Sequence, residues 1–397
     1  MGKRELLLIF CFFIVGAVVY QATARPAEPG ERGLSISRLV EHLRRGIRGN
    51  RATAEATTTA SHALTPDMKE LRIVGIISDV EVTGEDRQDV ESTVHVESNG
   101  YDEAEAREYV KQSKLVADRA ASALILRMDF PRGGRQRGAL KVKAPSRLQI
   151  RVEGSASLKV TNVSGLEVEG TRGEGTFRQI PGKVDISHRG GEIEIEDVGA
   201  VEFVGRSGTL KLAGVKGDTS IRMEQGGEVT ASRLNGAVDV EGRNCDIGLD
   251  DLSTAKGPVR VNLNGGSLKV KGLKSDTRID SRNAEVEVTM AAPAPLAIYS
   301  NGERVSLTPP PGGYTLDARV TDGRVTPDDF IESMGFTTSK PSEGQQTVSG
   351  PIKGGGPTIS VRVTNADFTV RKADDKAAPT AEEKPAQTQP KLKSRLK

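Results

Sequence analysis

Residues 183–199 read KVDISHRGGEIEIEDVG. Two short runs in this stretch alternate apolar and polar side chains, Val184-x-Ile186 and Ile193-x-Ile195, with Gly190-Gly191 between them. Alternation of period two describes a strand with one face buried and one face wet. The stretch closes on Val198-Gly199, and that ending recurs. Val163, Ile180, Val198, Val215, Leu234, Leu252 and Leu273 stand 17, 18, 17, 19, 18 and 21 residues apart. A near-constant period of this size is the mark of a repeat architecture, in which each unit buries its apolar face on its neighbours.

Working outward, every unit carries two alternating pairs. The first runs from Leu166/Val168 through Val201/Phe203 to Thr277/Ile279, and the second from Leu158/Val160 through Ile193/Ile195 to Val286/Val288. Glycine or Asn separates them, as at Gly226-Gly227, Gly265-Gly266 and Asn283, and supplies the positive φ that a tight corner asks for. The inward residues are modest in size, so stacked aliphatic rows fill a thin core. The pattern predicts an all-β body, a β-solenoid with rungs of about 18 residues. An antiparallel sandwich is the alternative fold.

The composition agrees. Among 397 residues there are 44 glycines and no Trp, and aromatics make up only 4%. Burial falls to Val, Ile and Leu in short runs, which suits many short strands. With 56 basic and 54 acidic side chains the net charge is +2, so no general pull toward nucleic acid or anionic membrane is expected. Two cysteines, Cys11 and Cys245, cannot make a disulfide framework. No His stands near Cys245 in sequence, and it reads as an inert turn residue.

The N-terminus reads as an address. Lys3 and Arg4 precede the apolar run Leu6 to Tyr20, and Ala22-Thr23-Ala24 follows as an Ala-x-Ala site. Residues 1–24 are therefore a signal peptide or an N-terminal apolar helix kept as membrane anchor; cleavage after Ala24 and retention are both open. Either fate places the body outside the cytoplasm, in the cell envelope. Residues 25–70 read as a linker with a basic amphipathic helix. Ile36, Leu39, Val40, Leu43 and Ile47 form one face, and Arg38, Arg44, Arg45, Arg48 and Arg51 crowd the rest. Membrane contact through Leu6–Tyr20 and Arg38–Arg51 follows as an expectation.

Further along, residues 71–147 read as N-terminal β rungs interrupted by a short helical insertion at Asp102 to Ala120. Residues 148–290 are the regular repeats and 291–372 the C-terminal rungs after a Pro-rich break. Residues 373–397, rich in Ala, Pro, Lys, Glu and Gln, are expected to be a disordered tail.

Searches for chemistry return little. His42, His62, His95 and His188 show no ligand spacing, and no Cys-x-x-Cys, Gly-x-Ser-x-Gly or Walker loop is present. Asp246, Asp250 and Asp251 cluster, but the paired-glycine aspartate repeat of a calcium β-roll is missing. Carboxylates at outward strand positions, Asp185, Glu192, Glu194, Glu202 and Asp239, are what a β-helix polysaccharide-processing enzyme would use. Aromatic sugar platforms do not accompany them in sequence, and short loops leave little room for a cleft. The expectation is no catalytic, cofactor-binding or metal residues, and no cofactor.

The stacked Val-x-Val, Gly, Val-x-Val units resemble the bacterial putative-adhesin family of β-strand-repeat domains of unknown function, auto-transporter-adhesin-head-like β-helices. The C-terminal stretch carries more of the likeness. Leu316 to Phe330 (LDARVTDGRVTPDDF) is similar to the family's penultimate rung, and Gly350 to Arg371 to its closing rung. Where the family has an Asn-Gly-Asp turn, Asn365-Ala366-Asp367 stands here. The likeness spans roughly residues 70–372. It implies a right-handed β-helix in a bacterial envelope protein and carries no binding residues across. Two function classes follow. One is a non-enzymatic, adhesin-like binding or structural module whose partner is an unknown envelope or surface component, protein or glycan and not nucleic acid. The other is a membrane-tethered sensing or regulatory ectodomain.

Overall fold

The computed structural model describes residues 52–120, 122–132, 135–326 and 333–372. The apolar run Leu6 to Tyr20, the Ala24 site, the basic helix up to Arg51 and the tail from 373 lie outside the described residues. The chain divides into two compact units. One reaches to Pro145 and includes Gly154–Ala156; the other holds Ser146–Glu153 and everything from Ser157 on.

In the first unit, β1 (Ala52–Ala63) pairs antiparallel with β3 (Asp89–Gly100), and β3 pairs antiparallel with β6 (Arg135–Pro145). Strand β2 (Glu70–Glu85) runs parallel to β6 and, at its other end, parallel to β5 (Ala123–Asp129). β4 (Lys114–Ala120) forms an antiparallel pair with β5. Two expectations are corrected here. Residues 52–63 are no linker but an edge strand, whose run Thr57-Thr58-Thr59 suits extended backbone. The helical insertion is shorter than Asp102 to Ala120. Helix α1 (Glu103–Gln112) starts on Asp102, whose Oδ1 accepts from the Glu105 amide at 2.8 Å. It stops at Ser113, whose Oγ donates to the Tyr109 carbonyl at 2.8 Å. Beyond that point cross-strand pairing overrides the helix-favouring composition.

The second unit is a parallel ladder. Its long strands are β7 (Gln149–Thr161), β9 (Gly175–His188), β10 (Glu192–Gly205), β14 (Val238–Asp250), β15 (Val259–Leu273) and β16 (Thr277–Met290). Shorter strands β8 (Gly165–Thr171), β11 (Thr209–Val215), β12 (Thr219–Met223) and β13 (Gly227–Leu234) complete it. Residues at equivalent places in successive repeats face one another. One inner row runs Leu166, Val184, Val201, Thr219, Val238, Val259 and Thr277, and all seven are buried. Another passes through Phe177, Ile195 and Leu212.

The expected right-handed β-helix of uniform rungs is corrected by the pairing, while the expected N-terminal apolar helix lies outside the described residues. At the centre of the unit five strands close into a parallel barrel, in the order β10, β11, β13, β14, β12 and back to β10. Closure is possible because β10 and β14 are long enough to bend and pair separately through each half. Strand order breaks at the C-terminal end as well. β17 (Leu296–Asn301) is flanked by β23 (Thr358–Thr364), which lies between it and β19 (Tyr314–Thr321). The stretch read as a closing rung is thus a rung inserted within the stack, its residues 368–370 also pairing in parallel on both sides, with 305–307 and with 325–326. Outside it, β22 (Gln345–Ile352) pairs antiparallel with β19, and β21 (Thr337–Ser342) antiparallel with β22.

The corners also differ from the expectation. Between the two pairs Gly226, Gly227, Gly265, Gly266 and Asn283 do carry positive φ, but at the second corner it falls mostly to non-glycine residues, Asn162, Gln179, Asp197, Arg233 and Asp251, each one residue before the recurring apolar position. Glycines just after that position serve close stacking. A Cβ on Gly199 would stand 2.1 Å from the Pro181 carbonyl oxygen, and one on Gly182 would stand 2.2 Å from that of Ser164.

Candidate functional site

Because the inner positions of each strand are filled, chemistry is left to the outer positions and corners. Outward residues on the first halves of the strands form columns set by the register. One column reads Glu167, Asp185, Glu202, Ser220, Asp239, Arg260, Arg278 and Ala297. The next reads Arg222, Glu241, Asn262, Asp280, Tyr299 and Arg362. Neighbouring strands lie about 4.8 Å apart, so side chains along a column are within reach of each other.

Three of the five carboxylates singled out from sequence, Asp185, Glu202 and Asp239, come together on this face. Lys183 Nζ stands 2.9 Å from Asp185 Oδ2 and 2.5 Å from Glu202 Oε2. Hydrogen bonding to Glu202, then to Asp185, holds the ammonium above its ordinary pKa. A shallow open depression of about 300 Å³ lies beside them, lined by Glu202, Asp218, Asp239, Pro258 and Arg260. The Asp218 carboxylate is already committed, accepting from the Ala237 amide at 2.9 Å. Glu192 and Glu194 do not join the group. They lie on the other half of β10, beyond its bend, where Glu192 meets Lys211 at 2.6 Å and Glu194 meets Arg178 at 3.0 Å.

The remaining candidates are dispersed. Asp246 accepts from Ser267 Oγ at 2.6 Å, Asp250 pairs with Lys271 at 3.1 Å, and Asp251 accepts from Ser253 Oγ at 2.6 Å. Each carboxylate of the sequence cluster thus has its own partner. His62 Nε2 lies 2.9 Å from Ser92 Oγ, and His95 Nδ1 lies 3.1 Å from Thr57 Oγ1. His188 is buried against Thr171, with 3.2 Å between Nδ1 and Oγ1, and burial pushes its imidazole below the ordinary pKa. His42 lies outside the described residues. Cys245 is buried, and burial pushes its thiol up. Among the described residues no group of three His, Cys, Asp or Glu side chains converges as a metal site, and no helix is long and apolar enough to cross a membrane.

Sequence reading missed one feature of this face. Tyr299 is exposed to 41%, the one large hydrophobic side chain so exposed among the described residues. Arg278 stands over its ring, 4.8 Å from the centroid. Aligning the outward positions by the repeat would have placed Arg260 beside Arg278 and Asp280 beside Tyr299.

No protein-family model matches the sequence, and no curated protein matches it. Two solved structures are similar to the chain. A "putative cell adhesion protein" from Clostridium sporogenes ATCC 15579 has 8% identity and a TM-score of 0.18, over 80% of this chain and 100% of that one. A "putative adhesin" from Parabacteroides distasonis ATCC 8503 has 10% identity and a TM-score of 0.27, over 64% of this chain and 97% of that one.

Proposed function

We propose that this chain is an exported, non-enzymatic protein of the cell envelope, an adhesin-like binding or structural module that meets its partner with the outer face of the second unit. The partner is an envelope or surface component, protein or glycan. The observation that carries the reading is the form of that face. In-register strands joined by short corners offer a broad, charged, open surface, and in its shallow depression of about 300 Å³ Lys183, Glu202 and Asp218 are already bonded to one another or to neighbouring groups. Catalysis on a bound substrate calls for an enclosed, water-poor pocket with convergent polar groups. Export rests on Lys3, Arg4, the apolar run Leu6 to Tyr20 and the Ala22-Thr23-Ala24 site.

Two measurements test the proposal with the full chain. Immobilised protein incubated with solubilised envelope should retain a specific component, and retention should change when Glu202 and Asp239 are reversed to Lys. Retention unchanged by those reversals would overturn the assignment of the face, and turnover of a polysaccharide would overturn the non-enzymatic reading. Protein recovered from the envelope fraction should begin at Arg25 or carry the intact N-terminus in a detergent-extractable form. Recovery from the cytosol with Met1 or Gly2 in place would overturn export.

A further inference from the structure

The outer face of the second unit is polarised. Its part on β8 to β14 is mainly acidic, through Glu167, Glu169, Asp185, Glu202, Asp239 and Glu241. From β15 onward the sign changes. Arg260, Arg278 and Arg282 stand on β15 and β16, and Arg362 and Arg319 on β23 and β19, with only Asp280 and Asp317 among them. Every cation at these outward positions on the first halves of the strands is an arginine (Lys269 and Lys271 lie on the other half of β15, each paired with a carboxylate), and Tyr299 lies in the middle of the field.

We propose that this arginine field around Tyr299 binds an anionic glycan, a polymer of sugar rings bearing carboxylates. The proposal rests on the binding-module reading and names the ligand class. Four observations carry it. First, the field is flat and spread over five strands at about 4.8 Å each, which fits an extended chain better than a compact ligand. Second, the cations are planar forks that match carboxylates in bidentate geometry, whereas a simple polyanion sink is equally well made of Lys. Third, two of the arginines are held in place. Asp280 grips Arg278 through two hydrogen bonds of 2.7 and 3.1 Å, and Asp317 accepts from Arg362 with both its carboxylate and its backbone carbonyl. The guanidinium groups of Arg260, Arg282 and Arg319 have no hydrogen bond or ion pair among the described residues and are free for a ligand. Fourth, Tyr299 rises beside the small Ala297, and its exposed ring offers an apolar surface that the C–H face of a sugar can cover. The acidic part of the face repels the same polymer and so limits how far it runs.

The test uses the full chain in affinity electrophoresis against polygalacturonate, with dextran as neutral polymer, a thymidine oligonucleotide as non-sugar polyanion, and vesicles of anionic lipid. Polygalacturonate should retard the protein, and retardation should weaken as salt rises. Tyr299→Ala should weaken it by about tenfold, the equivalent of about 1.4 kcal/mol. Arg260→Glu with Arg319→Glu should abolish it, and Lys216→Glu at an exposed corner should leave it unchanged. All these positions are solvent-facing, so the fold is retained, and unchanged thermal unfolding confirms that. Equal retardation by dextran, the oligonucleotide or the vesicles overturns the assignment, as does retention that survives the double arginine reversal. A chain that captures an envelope component yet ignores polygalacturonate removes this inference and leaves the broader reading standing.

Discussion

The inner rows are the strongest physical commitment of the fold, and Ile195 tests them. Its side chain is 1% exposed and lies between Phe177 of β9 and Leu212 of β11. Ile195→Ala removes three carbons from a site whose neighbours are fixed by backbone hydrogen bonding on both sides, so the space cannot close fully. Lost transfer energy and the cavity together cost about 2–5 kcal/mol. The next residue, Glu194, points outward. Its ion pair with Arg178 spans 3.0 Å between side chains 44% and 47% exposed, and removing such a pair costs about 0–1 kcal/mol. Urea unfolding of the full chain measures both, with the midpoint and slope fitted separately so that a change in unfolding extent is not read as a change in stability. Ile195→Ala should shift the midpoint strongly and Glu194→Ala barely. Equal shifts would refute the register, because a slip of one residue exchanges the two faces.

Gly199→Ala should destabilise by about 3 kcal/mol or more, because its Cβ would meet backbone oxygens at 2.1 and 2.5 Å. Gly170→Ala, at φ +69° with nothing within 4 Å, should cost only about 1–2 kcal/mol; thermal unfolding that ranks the two the other way would sink the stacking argument. Thr219 lies in an otherwise aliphatic stretch between Val201 and Val238 with its buried hydroxyl unpartnered, so Thr219→Val should raise stability by about 1 kcal/mol. No gain in the urea midpoint would mean that the hydroxyl has a partner. His188 has a folded pKa below its ordinary value of 6.5, so the unfolded chain takes up the proton first. Stability from this residue is present above pH 6.5 and is lost as pH falls below it. His188→Gln should flatten the pH dependence of stability in that window, leaving the acid loss due to His62, whose pKa is also lowered; an unaltered slope would assign the acid sensitivity elsewhere.

Local patterning was legible because it is enforced at every repeat. An inward position that breaks the alternation buries a polar group, so Val184, Ile186, Ile193 and Ile195 announce their side of the strand in the chain itself. Closure and strand order leave no such trace. The five-strand barrel depends on β10 and β14 bending and pairing through both halves, and nothing in an alternating pattern reports a bend. The insertion of β23 between β17 and β19 depends on an excursion through residues 302–357, and the periodic pattern ends before it begins. The same excursion hides half of the arginine field, since Arg362 faces Tyr299 only after β23 has been inserted. The expected basic helix and apolar anchor belong to residues outside those described.

Parallel register makes the outer face costly to charge in blocks. Equivalent outward residues stand about 4.8 Å apart, and two like unit charges at that distance repel by about 1 kcal/mol even in water. Much of this chain avoids the penalty by placing opposite signs side by side, as with Glu194 and Lys211, or Arg222 and Glu241. Like neighbours are kept at a few places. Asp185 and Glu202 are bridged by Lys183, which leaves neither carboxylate in need of a further cation. The basic pairs are treated differently. Arg278 has Asp280 and Arg362 has Asp317, while their like-charged neighbours Arg260 and Arg319 have no counter-ion among the described residues. One member of each pair is thus fixed and the other faces its like charge without an ion pair, although Arg260 also has Asp239 as its register neighbour on the other side. An arriving carboxylate relieves that repulsion as well as forming its own hydrogen bonds, so an anion gains more here than at any of the neutralised pairs. A face built for stability alone would have bridged each basic pair with an acid, just as Lys183 bridges the acidic pair Asp185 and Glu202.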